Sequence, residues 1–238
     1  MSSITGRPIR FFASLLLLLP ILSFTASTAN SQGNVVGIQT YGAGYSEWSA
    51  RWWQWALSIP AAVNPVIDTT GENCDQGQFD DVWFLAGCFG TCTVERHCTV
   101  PSGAPIFFPL FNVIWGRPWG YETVLDLRQG ATAFIDDVTD LECTLDNSPC
   151  AGNLFDFRVR SPVFSILARS GKEDGQIVPP GQLHAPGKTD SSVSDGYWLL
   201  LSPLNEGDHT LHFVAERIDS GGNVTNMDVT YELSVEPN

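Results

Sequence analysis

Six cysteines constrain this chain more than any other feature: Cys74, Cys88, Cys92, Cys98, Cys143 and Cys150. Four crowd between positions 74 and 98, and the other two sit seven apart. An even number of cysteines in an oxidising compartment reads as up to three disulfides. We expect Cys143 to close on Cys150 as a local staple and the other four to pair among themselves. The segment between them, rich in Gly and Pro, is expected to hold little regular structure beyond its bridges. Zinc is disfavoured, because Cys88 and Cys92 are spaced C-x3-C rather than C-x2-C and only His97 lies nearby. No metal site is expected from the cysteines.

The oxidising compartment follows from the first residues. Arg7 and Arg10 supply a positive start, residues 11–24 are apolar, and Ser27, Thr28 and Ala29 offer the small residues a signal peptidase reads. The apolar stretch is too short to span a bilayer comfortably. Residues 1–29 are therefore expected to be a cleavable signal peptide, and the mature chain of about 209 residues to be secreted or periplasmic. No later stretch approaches membrane-spanning length, so no membrane span is expected after cleavage.

Charge excludes further classes. Twelve Lys and Arg face 26 Asp and Glu, for a formal net charge of −14. A nucleic-acid binder wants a basic face, and so does a protein of anionic membranes. Such acidity leaves room for a cation, calcium above all, although no D-x-D-x-D-G loop is present. No other cofactor is expected.

Two helices are legible. Trp48, Trp52, Trp55 and Ile59 recur at steps of four, three and four, which predicts a Trp-rich helix over 46–59. Ser46 is placed to cap it and Pro60 to stop it. Its indole stripe reads as core. Val124, Leu127, Ala131, Phe134 and Val138 predict a second helix over 122–139. Strands dominate the rest: 82–86 and 106–108, which read as buried strands bounded by turns, and 197–201 and 209–215. The last strand is the clearest, with Val229, Tyr231, Leu233 and Val235 alternating with polar residues. Residues 219–223 form the turn before it. The expected fold is mainly β: an antiparallel β-sandwich packed with the Trp-rich helix and the second helix, stapled by disulfides. Residues 30–140 would hold the helices and the disulfide-rich α+β region. Residues 141–238 would form the sandwich, either separately or as one domain with what precedes it.

The run HTLHFVAE at 209–216, the turn DSGGNVT at 219–225 and the strand at 229–235 resemble the last two strands of bacterial immunoglobulin-like domains. That resemblance implies an immunoglobulin-like C-terminal part. The segments YSEWSARWWQWA at 45–56 and SDGYW at 194–198 resemble exported bacterial proteins of unknown function. This second resemblance implies no chemistry.

Candidate site residues fall into two sets. Trp115, Arg117, Trp119 and Tyr121 lie in a Gly- and Pro-interrupted segment that reads as a surface loop. The rings either form a platform that stacks on a sugar or fold back over the core. Glu47, Asp80, Asp81, Asp136 and Asp137 are the carboxylates eligible for general acid and base roles, with His97 as a further candidate. A glycosidase needs two carboxylates about 5–10 Å apart, which a sequence does not specify. Asp136 and Asp137 fall where the second helix ends, against its dipole, and need a cation, an Arg or solvent there. His209 and His212, three apart in a strand, point to opposite faces. G-x-S-x-G, S-x-x-K and P-loop patterns are absent. The leading expectation is a non-catalytic binding protein for a glycan or small extracellular ligand, through the aromatic loop. The alternatives are a secreted hydrolase of a polysaccharide or ester, and a structural extracellular protein.

Overall fold

The computed structural model describes residue 35 and residues 44–79, 81–116, 123–167 and 189–237. The expected signal peptide, Asp80, Arg117, Trp119 and Tyr121 lie outside the described residues. Residues 31–238 form one compact unit.

The chain is mainly β. Helix α1 (Tyr45–Ser58) is followed by a single 3-10 turn, then β1 (Trp83–Phe84), β2 (Cys92–Pro101) and β3 (Ile106–Gly116). Helix α2 (Val124–Asp136) leads to β4 (Val138–Leu145), β5 (Ser148–Pro149), β6 (Arg158–Arg160), β7 (Phe164–Leu167), β8 (Thr189–Leu201), β9 (Gly207–Ile218) and β10 (Val224–Glu236). One mixed sheet has the order β1-β3-β8-β6, with β7 also pairing β8. The other has the order β2-β10-β9-β4-β5. Both sheets draw strands from either side of residue 140. Within them, β1 runs parallel to β3 and β2 parallel to β10, while the remaining pairs are antiparallel.

Strand β8 shows why the layers assemble. Tyr197-Trp198-Leu199-Leu200-Leu201 is a continuous apolar run, the mark of a strand buried on both faces. Trp198 and Leu200 join Trp48, Trp52, Trp53 and Trp55 of α1 in one apolar cluster. Leu199 and Leu201 face the other way, into a cluster with Phe213, Val229 and Leu233 of the second sheet. Phe107 stacks on Trp198 at 5.2 Å. The indoles of α1 are core, as the spacing predicts. Trp52 Nε1 donates to the Leu85 carbonyl at 2.9 Å and Trp53 Nε1 to Ser194 Oγ at 3.0 Å.

Helix α1 starts one residue earlier than expected. Gly44 is its N-cap, and no side chain caps it. Ser46 therefore sits inside the first turn. Helix α2 starts later, where Thr123 and Asp126 form a reciprocal capping box. The acids at its end are met by arginines: Asp136 by Arg158 and Asp137 by Arg217, each at 2.6 Å.

All six cysteines are bridged, as Cys74–Cys98, Cys88–Cys92 and Cys143–Cys150. The stapled segment departs from the irregular loop expected of it. Its second half is β2, a ten-residue strand in register with β10 from Met227↔Cys92 to Glu236↔Pro101. The apolar run at 106–108 also continues past Pro109, because the register shifts between Pro109 and Phe111. Such an irregularity accommodates a residue that has no N–H to donate.

Candidate functional site

Trp115 corrects the loop expectation. It lies in β3, opposite Val193 of β8, and is half-buried. Its ring packs with Leu127, Ala131 and Val193 and meets Phe134 edge-on at 6.3 Å. The alternation of β3 turns this side chain under α2, so the ring is part of a helix–sheet contact.

Among the described residues, the eligible carboxylates do not converge. Glu47 is on the outer face of α1 and pairs with Arg51 at 2.6 Å. Asp136 and Asp137 are held by Arg158 and Arg217. His97 is exposed on β2. It lines a groove of about 420 Å³ with Asp208, Glu232 and Ser234. There Thr210 Oγ1 donates to Glu232 at 2.8 Å and Ser234 Oγ to Asp208 at 3.0 Å. His209 and His212 do point to opposite faces. His209 Nδ1 lies 2.8 Å from Asp146, and His212 Nε2 lies 2.9 Å from Asp228. Among the described residues, no group of three or more His, Cys, Asp or Glu is arranged to hold a metal ion. Among the same residues, no helix is long and apolar enough to cross a membrane.

Asp81 differs from the other described candidate acids. It is exposed and makes no hydrogen bond or ion pair among the described residues. It borders a cleft of about 370 Å³, lined also by Phe79, Trp83, Pro101, Ser102 and Ala104. Two local arrangements build this cleft. The side chain of Gln78 acts as a clamp: Nε2 donates to the carbonyls of Cys74 and Phe84, and Oε1 accepts from the Phe84 N–H. That fixes the chain from Cys74 into β1 and sets Phe79 and Asp81 at its mouth. Opposite, the turn after β2 carries Gly103 at φ +85, a conformation that favours glycine. Ser102 N–H donates to the Glu236 carbonyl at 2.7 Å and holds that turn against β10. Trp83 is half-buried, and Phe79 is 41% exposed while resting edge-on against Phe84 at 5.7 Å. The sequence places Asp81 among the eligible acids, reads Trp83 as part of a buried strand and gives Phe79 no role; the structure leaves Trp83 half-buried. Their companions in the cleft come from the β2–β3 turn, some twenty residues away.

A second polar cluster lies where α2 crosses the first sheet. Asp195 of β8 is fully buried. Arg158 clasps it with two bonds, Nε to Oδ1 at 3.0 Å and Nη2 to Oδ2 at 2.9 Å. Arg160 Nε and Thr132 Oγ1 both reach Oδ2, at 3.2 and 3.3 Å. A buried carboxylate is tolerable only with such pairing. Arg158 also donates to Asp136 and to the Thr132 carbonyl, which ties α2 to β6. This arrangement holds Arg158 well above the usual arginine range: burial opposes the charge, and the bonds to Asp195 and Asp136 outweigh it.

No family model matches the chain, and neither the curated proteins nor the solved structures compared with it give a match.

Proposed function

We propose that this chain is an exported, non-catalytic binding protein that takes a glycan in the cleft between Trp83, Phe79 and Asp81. One observation carries the reading. Asp81 alone among the described candidate acids has no protein partner, and it stands beside the exposed ring of Phe79 and the half-buried ring of Trp83 in a cleft of ligand size. Sugars offer an apolar C–H face to a ring and hydroxyls to a carboxylate, so this pairing of groups suits them. The other described candidate acids, Glu47, Asp136 and Asp137, are each paired with an arginine, which favours binding over hydrolysis. The reading moves the site from the segment around Trp115 to the mouth of β1.

Export rests on the order of charge, apolar core and small residues in the first 29 positions, and the three disulfides fit that compartment. The same reading takes the two-sheet core as an immunoglobulin-like sandwich. The long β9–β10 hairpin supports it, running from Val224↔Ile218 to Val235↔Gly207.

A glycan array tests the proposal. Wild-type protein is expected to bind a defined set of glycans, Asp81→Asn to lose that set with an unchanged Tm because Asp81 is exposed and unbonded, and Phe79→Ala to lose it with a small fall in Tm from the lost contact to Phe84. Binding that survives both substitutions overturns the assignment.

A further inference from the structure

We propose that Arg128 and Arg160 form a binding site for an oxyanion, at the opposite edge of the first sheet from the Trp83 cleft. This site stands apart from the glycan reading. The strand order places β1 at one edge and β6, which carries Arg160, at the other.

The geometry comes from Asp195. Thr132 of α2 reaches its carboxylate, and Arg128 lies one helical turn before Thr132 on the same face. From β6, Arg160 reaches the same carboxylate oxygen. Three guanidinium groups therefore gather where only two carboxylates, Asp195 and Asp136, stand among the described residues. Arg158 uses both carboxylates through all three of its nitrogens. Arg160 spends Nε alone, and its side chain is 56% exposed. Arg128 makes no hydrogen bond among the described residues, and its Nη1 is shut off from solvent.

A guanidinium in that state is costly. Burial and the neighbouring charge of Arg160 lower the Arg128 pKa, and the attraction of Asp195 does not cancel them. An oxyanion seated on the exposed guanidinium of Arg160, beside the Arg128 charge, would offset that excess of positive charge. Guanidinium groups recognise carboxylate, sulfate and phosphate through paired, charge-assisted bonds. In a chain of net charge −14, a local excess of positive charge of this kind is unlike the rest of the sequence.

The test uses the purified chain at fixed ionic strength, titrated with sodium sulfate or sodium glucuronate in exchange for sodium chloride. Tm and calorimetric affinity are the readouts. We expect either oxyanion to raise Tm relative to chloride. Stronger binding of glucuronate would assign the site to the carboxylate of an acidic sugar. Stronger binding of sulfate would assign it to a free or esterified sulfate. Arg160→Gln is expected to weaken affinity about tenfold or more, because it removes a charge-assisted contact. Arg128→Gln is expected to lose the Tm gain while its anion-free Tm is unchanged or higher, since it relieves repulsion. If Arg128→Gln fails to fold, Arg160→Gln decides alone. No Tm gain with either anion, or wild-type affinity in Arg160→Gln, overturns the proposal.

Discussion

The guanidinium of Arg96 lies over the ring of Tyr231, 5.4 Å from its centroid, and donates through Nη1 to the phenolic oxygen at 2.9 Å. Both residues are buried. The other bonds of Arg96 go to the carbonyls of Val66, Asp68, Ala86 and Gly87. Strand β2 thereby gathers the irregular chain on both sides of the cleft-forming segment. Tyr231 completes the knot by donating to the Ala86 carbonyl.

Arg96→Met is therefore expected to cost about 3 kcal/mol or more, because it leaves several buried carbonyls without a donor. Tyr231→Phe removes one hydroxyl from the same knot and should cost about 1–2 kcal/mol. Urea denaturation of both variants checks the order. Equal and negligible losses would show that the knot contributes nothing.

Histidine 209 gives a pH signature. Burial would depress its pKa, but the hydrogen bonds to Asp146 and to the Asn205 carbonyl outweigh it and raise the pKa above its ordinary value of 6.5. A pKa raised on folding adds stability that is fully present below the unfolded value and is lost as pH climbs through the folded one. Wild-type Tm should therefore fall relative to His209→Asn as pH rises from about 6 through the region above 6.5. A difference between the two proteins that does not change with pH contradicts the assignment.

The bridges are expected to differ in weight. Cys74–Cys98 closes 24 residues of sequence separation and Cys143–Cys150 closes seven. Loop-closure entropy assigns them about 3.5 and about 2.5 kcal/mol. Paired Cys→Ser variants measured by denaturation should follow that order.

Trp115 and Gly196 test the first sheet. Trp115→Ala removes the ring wedged against Phe134, Leu127 and Ala131, and should cost about 2–4 kcal/mol. A residue on a free loop would show almost no loss. A Cβ at Gly196 would come within 2.6 Å of the Phe111 carbonyl oxygen, beside the register shift in β3. Gly196→Ala should destabilise by about 2 kcal/mol or more.

These residues also explain what the sequence discloses. The indoles of α1 repeat at helical spacing and β10 alternates cleanly, so both elements are legible from local pattern. Strand β2 alternates too, with Val94, Cys98 and Val100 turned inward, but Arg96 occupies an inward position. A charged residue there breaks the apolar pattern, and the carbonyls that satisfy it come from residues 66–87. Pro109 likewise cut short the reading of β3. At the candidate site Asp81 was visible as an acid. Its distinction, the lack of a partner, depends on where every arginine goes. Asp195 carries no local signal, because its partners Arg158 and Thr132 lie 37 and 63 residues away.

The location of the site is tested most directly by NMR, observing the indole N–H signals while a glycan selected on the array is titrated in. The Trp83 signal, assigned by its loss in Trp83→Phe, is expected to shift with saturation, and that of Trp115 to stay in place. A saturable shift at Trp115 with Trp83 unmoved would contradict the account.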